Sequence, residues 1–140
     1  MIKKILIEQP PNIEKIKQAF VLKKGVVFCY GESLYNPDNL MVSPMLFSHE
    51  CVHSEQQAEI GVDKWWKGYL SETAFRLSQE ILAYQVQYQT ARKGIKDRNK
   101  LAKYLMFLAK ELSGELYGGI IGFNEALEAI RKEKPYNFRT

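Results

Sequence analysis

The chain contains only two histidines, His49 and His53, and they lie four positions apart in the run His-Glu-Cys-Val-His. On a helix, residues four apart share one face with Cβ atoms roughly 5–6 Å apart. Both imidazoles can then place a nitrogen about 2.0–2.1 Å from one Zn²⁺ ion. Glu50 lies about 100° further around such a helix, so its carboxylate stands beside the metal rather than on it.

On a helix, the pattern His-Glu-x-x-His is typical of zinc-dependent peptide hydrolysis. Zinc lowers the pKa of a bound water from about 15.7 toward about 7, so we expect that water to be the nucleophile and Glu50 the general base. An alternative is a catalytically inactive structural or interaction protein that keeps a zinc site. Zinc binding alone does not need Glu50, which favours a metallopeptidase acting on peptide or protein substrates.

The third zinc ligand must be a carboxylate or a thiolate, because catalytic zinc usually has three protein ligands and no other histidine exists. Glu59 stands where a metzincin has its third histidine, but Gln56 occupies a position at which that family needs glycine. Glu80 fits better, since it falls mid-way along the next predicted helix with the small Ala83 on the same face. Glu72 is the second candidate, although the helix dipole already favours an acid in its first turn.

Two motifs taken together carry a resemblance to a known family. Residues 49–53 read His-Glu-Cys-Val-His, and residues 80–83 read Glu-Ile-Leu-Ala. Over about residues 26–89 the chain resembles the gluzincins, above all the small minigluzincin-like domains, which pair His-Glu-x-x-His with a downstream Glu-x-x-Ala. The resemblance implies a zinc ion held by the two histidines and Glu80.

The same resemblance implies a zincin-like fold and a mode of substrate binding. A twisted sheet would lie above a cleft, with the motif helix below it and the glutamate helix behind. An edge strand, here Ser33–Tyr35 or residues 40–42, would bind extended peptide. Many gluzincins have an aspartate four residues after the ligand glutamate, holding a zinc-bound histidine. Tyr84 stands at that position and would do so only through its hydroxyl.

Tyrosines are also the candidates for stabilising the transition state. Larger gluzincins often use a histidine or a tyrosine as the hydrogen-bond donor to the oxyanion, and the chain has no third histidine. The sequence does not choose among the tyrosines that could act as this donor or as a partner of a zinc ligand. They are Tyr69, Tyr84, Tyr88 and Tyr117.

Hydrophobic periodicity predicts a small sheet followed by helices. Residues 2–7 are strand-like, and residues 26–30 and Ser33–Tyr35 form a hairpin around Gly31-Glu32. Ser43 and Pro44 predict the start of the motif helix. In all, helices are predicted over residues 13–22, 44–60, 72–93, 98–112 and 123–132, and the second of these is the motif helix.

These elements predict one α+β domain spanning residues 1–140, with a small N-terminal twisted sheet, four or five helices and a mostly helical C-terminal half. The extended, aromatic residues 135–140 are hypothesised to lie in a cleft as an added strand. The alternative is a tail that is merely packed or disordered, as chain ends usually are.

Composition limits the function classes. The net charge is +4 with a pI near 9.0, and the basic residues are spread, which does not favour nucleic-acid binding. A basic nucleic-acid-associated protein remains an alternative. Apolar runs are too short to span a membrane, and residues 1–8 contain too short an apolar core for a signal peptide, so we expect a cytoplasmic protein. Cleavage specificity and oligomeric state do not follow from the sequence.

Overall fold

The computed structural model describes residues 1–114, 117–132 and 136–138. One three-stranded sheet is formed by β1 (Lys4–Leu6), β2 (Phe28–Tyr30) and β3 (Ser33–Tyr35). Six helices follow or interrupt these strands within the described residues. They are α1 (Ile13–Ala19), α2 (Pro44–Ile60), α3 (Val62–Ser71), α4 (Thr73–Gly94), α5 (Arg98–Leu112) and α6 (Phe123–Arg131).

The α+β class is confirmed, with the small sheet at the N-terminus and a mostly helical remainder. The helices number one more than the upper expectation in the part of the chain that the structure describes. The additional helix is α3, where the sequence predicts a loop or a short helix. In the same described part, no helix combines the length and the hydropathy needed to cross a bilayer.

The sheet has the order β1-β3-β2 and is mixed. The hairpin is confirmed: β2 runs antiparallel to β3, with Cys29 opposite Leu34, and turns at Gly31, whose φ of 65° favours glycine. β1 runs parallel to β3 on its other side, with Ile5 opposite Leu34. The strand Ser33–Tyr35 is therefore central, and the expectation that it forms a substrate-binding edge is wrong. Its backbone is already paired on both sides.

The second candidate edge, residues 40–42, does not form a strand. Asn36 binds the backbone of Leu40 twice: its Nδ2 donates to the Leu40 carbonyl at 2.8 Å, and its Oδ1 accepts from the Leu40 N–H at 3.1 Å. Asn39 between them has a φ of 49°. These side-chain bonds fold the segment into a turn and use the backbone groups that a strand would need.

Helix α2 begins and ends where the sequence predicts. The Ser43 hydroxyl accepts from the Leu46 N–H at 3.1 Å, Pro44 is the first helical residue, and Gly61 ends the helix with a φ of 102°. The following long helix begins one residue after the predicted position 72, and Ser71 is not its N-cap. The Ser71 hydroxyl donates back to the Lys67 carbonyl at 2.6 Å, inside α3, and α4 begins at Thr73.

Packing places α2 between the hairpin and α4. Its Ser54 hydroxyl donates to the Gly31 carbonyl at 2.7 Å. The fully buried Gln57 closes the hairpin backbone, since its Nε2 donates to the Cys29 carbonyl at 2.9 Å and its Oε1 accepts from the Gly31 N–H at 2.6 Å. The C-terminal helices α4, α5 and α6 share a separate apolar core. Its fully buried members include Leu108, Ala109, Leu112, Ala126 and Ile130.

The described part of the tail packs along α2. The Tyr136 hydroxyl donates to Glu55 Oε1 at 2.7 Å, and the Phe138 ring packs against the clusters that contain Cys51 and Val52. Glu55 lies about 200° around the helix from His53, so this contact is away from the histidine face. Residues 135, 139 and 140 lie outside the described residues.

The buried Gln57 amide yields a stability prediction. Gln57→Leu should lower the free energy of unfolding by about 1–3 kcal/mol, because it leaves the partly buried Gly31 N–H without its acceptor. Trp66 Nε1 still donates to the Cys29 carbonyl at 3.2 Å. Urea denaturation measures the change. The control Gln18→Leu, on the exposed face of α1, should change stability by less than about 0.5 kcal/mol. Equal effects of the two substitutions would contradict the role of Gln57.

Candidate metal centre

Two helices bring together three side chains that could bind a metal ion. Helix α2 places His49 and His53 on one face, with ring centroids 4.9 Å apart, and α4 places Glu80 against them. The Nε2 atoms of both imidazoles lie 3.1 Å from the same oxygen, Glu80 Oε1. All three residues are buried, at 3–5% exposure. Their potential ligand atoms lie within 4.8 Å of one another, so this group could hold a metal ion.

The competing carboxylates and thiols lie elsewhere. Glu59 and Glu72 are exposed, and neither belongs to the group. Cys51, which lies inside the motif, packs with Ile2 and Leu34 under the sheet, and burial raises the pKa of its thiol. Of the third ligands considered from the sequence, the structure brings only Glu80 to the two histidines.

Two glutamines bind the outer nitrogens of the imidazoles. Gln87 Oε1 lies 2.8 Å from His49 Nδ1, and Gln56 Oε1 lies 2.8 Å from His53 Nδ1. A carbonyl oxygen only accepts, so each Nδ1 carries the hydrogen and each Nε2 faces Glu80. This arrangement fixes both rings in the orientation that a metal ion needs.

Sequence reasoning missed both glutamines. A signal for each was available: Gln56 follows His53 by three residues, and Gln87 follows Glu80 by seven, which is two turns on the same helix face. Tyr84, which was expected to bind a zinc-bound histidine through its hydroxyl, does not contact His49 in that way. Its ring packs edge-on against the His49 ring at 4.7 Å between centroids, while its hydroxyl lies 3.0 Å from the Tyr117 hydroxyl.

Three of the four candidate tyrosines lie around Glu80. The Tyr69 hydroxyl donates to Glu80 Oε2 at 2.5 Å, which leaves Oε1 to face the imidazoles. Burial, reinforced by the charge of Glu80, raises the pKa of Tyr69, Tyr84 and Tyr117 well above the usual value. Tyr88 instead packs against the core of α4, α5 and α6.

Glu50 is buried beside the ligands, at 6% exposure. Over the described ranges, its carboxylate forms no hydrogen bond and no ion pair with another residue. Burial raises the pKa of Glu50, an effect that the neighbouring His49 and His53 oppose and Glu80 reinforces. The motif therefore supplies a carboxylate that other side chains of the described structure leave uncommitted.

The electrostatics of the three ligands are coupled. Burial alone would lower the pKa of His53, but the charge and hydrogen bond of Glu80 outweigh it and raise that pKa to about 9. Burial alone would raise the pKa of Glu80, but the charges and hydrogen bonds of His53 and His49 hold it well below its usual range. A proton on His53 thus lies between Nε2 and Glu80 Oε1, in the place that a metal cation would fill.

Two surface cavities, of about 240 and 310 Å³, border helices α2 and α4. Both are lined by Gln56, Glu59 and Leu82, and neither is lined by a member of the His/His/Glu group. Gln56 connects the two cavities to the His/His/Glu group, because its side chain bonds to His53.

The raised pKa of His53 predicts how the metal-free protein responds to pH. The pKa of His53 is about 9 in the folded protein and near 6.5 in the unfolded chain. The contribution of protonated His53 to the free energy of unfolding is therefore fully present below pH 6.5, and it is lost as the pH rises through 9. The free energy of unfolding should fall by about 3 kcal/mol over this range. Urea denaturation at pH 6, 8 and 10 with a chelator present measures it.

The control for this pH dependence is His53→Gln, which should lack this part of the loss between pH 6 and 10. Saturating zinc should reverse the trend in the unaltered chain, because metal binds the deprotonated imidazole. An identical pH dependence in the two metal-free proteins would contradict the assignment to His53.

The likeness to the gluzincins rests on the motifs alone. No protein-family model, curated protein or solved structure matches the chain. The function is therefore argued from the geometry of the His49, His53 and Glu80 site and from the residues that surround it.

Proposed function

We propose that the protein is a zinc metallopeptidase of the gluzincin type, with a zincin-like domain that hydrolyses peptide bonds. The observation that carries the proposal is the convergence of His49, His53 and Glu80, with the Glu50 carboxylate beside them on the motif helix. The position of α2 between the β2–β3 hairpin and α4 agrees with the zincin arrangement of motif helix, sheet and glutamate helix.

The donor set fits zinc. Two imidazole nitrogens and one carboxylate oxygen form the His₂Glu set of several zinc peptidases, whereas Ca²⁺ and Mg²⁺ prefer oxygen donors. The two Nε2 atoms both face Glu80 Oε1, each at 3.1 Å. When bound, zinc supplies Lewis acidity, which activates water and polarises the scissile carbonyl.

Glu50 is the proposed general base. Its carboxylate takes a proton from the attacking water and passes it to the leaving amine. A base works best when its pKa lies near the operating pH, and burial moves the pKa of Glu50 upward in that direction. Glu50 makes no competing bond over the described ranges, so it is free to accept that proton.

The buried tyrosines are proposed to stabilise the transition state. The hydroxyls of Tyr69, Tyr84 and Tyr117 lie around Glu80, and their raised pKa values keep them protonated at neutral pH. A neutral phenol donates a hydrogen bond to a developing oxyanion in a site with little water. Tyr69 already donates to Glu80, which leaves Tyr84 and Tyr117 as the less committed donors.

One observation favours a second candidate function, a zinc-binding protein without turnover. His49, His53 and Glu80 are only 3–5% exposed, and neither of the two cavities is lined by them. A peptide reaches such a site only if the structure opens. Glu50 argues for the peptidase, because structural zinc binding needs no free carboxylate beside its ligands.

Separating the roles of the two buried acids tests the proposal. Glu50→Gln keeps all three ligands, so zinc affinity should stay unchanged while turnover falls by roughly 10²–10⁴-fold or more. Zinc affinity is measured by competition with a chromogenic chelator. Turnover is measured with a quenched peptide library and an unfolded protein. Zinc binding without any cleavage in the unaltered chain would favour the inactive alternative.

The companion variant, Glu80→Ala, removes a ligand and should weaken zinc binding strongly, since two imidazoles form an incomplete site. Glu72→Ala and Glu59→Ala are matched controls that should leave zinc affinity unchanged. Zinc retained at full affinity in Glu80→Ala but lost in a control would move the third ligand and remove the basis of the gluzincin assignment.

A further inference from the structure

Gln56 joins the two metal-binding helices at the point where both carry a ligand. Its Oε1 lies 2.8 Å from His53 Nδ1, and its Nε2 donates to the backbone carbonyl of Gln79 at 3.2 Å. Gln79 immediately precedes Glu80 on α4. One amide therefore connects the outer side of an imidazole ligand to the backbone beside the carboxylate ligand.

The chemistry of these partners leaves one orientation of the amide. A backbone carbonyl only accepts hydrogen bonds, so the Gln56 NH₂ group must face Gln79. The Gln56 oxygen then faces His53, and it only accepts as well, so Nδ1 of His53 must carry a hydrogen. The ionised Glu80 carboxylate also only accepts, so the hydrogen between it and Nε2 belongs to His53. If a metal replaces that hydrogen, the remaining one stays on Nδ1 and the Nε2 lone pair is the one that faces the metal.

We propose that Gln56 is a positioning residue that selects the metal-binding tautomer of His53, with its own amide fixed by the Gln79 carbonyl. The reversed amide would point NH₂ at Nδ1 and move the imidazole hydrogen onto Nε2, where a metal must bind. This inference rests on the metal centre of the proposed function. It does not depend on whether the centre turns over a peptide.

The partner of the other histidine lacks this constraint. Gln87 accepts from His49 Nδ1, but its Nε2 donates to the Tyr104 hydroxyl at 2.8 Å. A hydroxyl both donates and accepts, so Tyr104 tolerates either orientation of the Gln87 amide. The fixed partner is therefore on His53, and the adjustable one is on His49.

A purely structural role is the competing explanation, because Gln56 also ties α2 to α4. Three variants separate the two roles. Gln56→Leu removes both the acceptor and the tie, whereas Gln56→Glu keeps an acceptor for Nδ1 and loses the donor to Gln79. The control Gln85→Leu removes a comparable, half-buried amide that donates to the Ala129 carbonyl at 2.8 Å, away from the metal-binding group.

Zinc affinity of the full chain, measured by chelator competition, is the first readout. Gln56→Leu should lose about 10–100-fold in affinity, the usual effect of removing a hydrogen-bond partner of a metal ligand. Gln56→Glu should recover most of that loss, and Gln85→Leu should match the unaltered chain. The proposal is overturned in favour of a structural tie if Gln56→Glu binds zinc as weakly as Gln56→Leu does. It is also overturned if the control Gln85→Leu loses as much zinc affinity as either variant.

The second readout is the tautomer itself, which long-range ¹H–¹⁵N spectra of the zinc-bound protein report. The chain has only two histidines, so two imidazoles appear. Both should bind zinc through Nε2 and hold hydrogen on Nδ1. In Gln56→Leu only the Nδ1 hydrogen of His53 should exchange faster with solvent, and in Gln87→Leu only that of His49. Gln56→Glu should keep the His53 signal, which separates hydrogen bonding from the added charge.

These readouts distinguish this inference from the proposed activity. Zinc binding with the expected His53 tautomer but no peptide cleavage sustains the inference and removes the peptidase. Peptide cleavage with an unaltered His53 Nδ1 signal in Gln56→Leu sustains the peptidase and overturns the inference. An unaltered chain that binds no zinc overturns both.

Discussion

The structure depends on one buried carboxylate shared by two imidazoles. Glu80 Oε1 lies 3.1 Å from both Nε2 atoms, in a place from which water is almost excluded. A buried charge is costly unless it is paired and hydrogen-bonded, so α4 must hold Glu80 where α2 holds the histidines. Tyr69 satisfies the other oxygen of that carboxylate. The same arrangement that removes the cost in the metal-free protein offers two nitrogens and an oxygen to a cation.

The surrounding elements keep the two helices in register. Ser54 and Gln57 fasten α2 to the β2–β3 hairpin, and Gln56 fastens it to the α4 backbone. Helix α3 covers the histidines with aromatic rings. The Trp65 ring stacks on Tyr69, with centroids 4.8 Å apart, and its centroid lies 5.1 Å from that of His53. Such supports restrict the rotamers of the ligands, which is what a preorganised metal site requires.

Burial has opposite consequences for binding and for turnover. A site with little water strengthens the interaction between a cation and its ligands and raises the pKa of Glu50 toward a useful range. Access of a peptide to the same site requires an opening, because the ligands are almost fully covered. The proposed metal binding and the proposed peptide cleavage therefore make different demands on this site.

Features that depend on neighbouring residues can be predicted from the sequence alone. The helix of the motif follows from Ser43, Pro44 and Gly61, and the shared face of the histidines follows from their spacing. The hairpin follows from two strand-like runs around Gly31. Helix spacing and the motif resemblance predict Glu80 as the third ligand, and the structure brings it to the histidines.

Features that depend on contacts between distant residues follow from the way the elements pack in three dimensions. The central position of Ser33–Tyr35 results from pairing with β1, almost thirty residues earlier, which no local pattern encodes. The partners of the histidines are Gln56 and Gln87 rather than Tyr84, because the direction of a side chain between packed helices fixes which polar atoms meet. Periodicity predicts the face on which a residue lies, whereas hydrogen bonding across that face depends on how the helices dock.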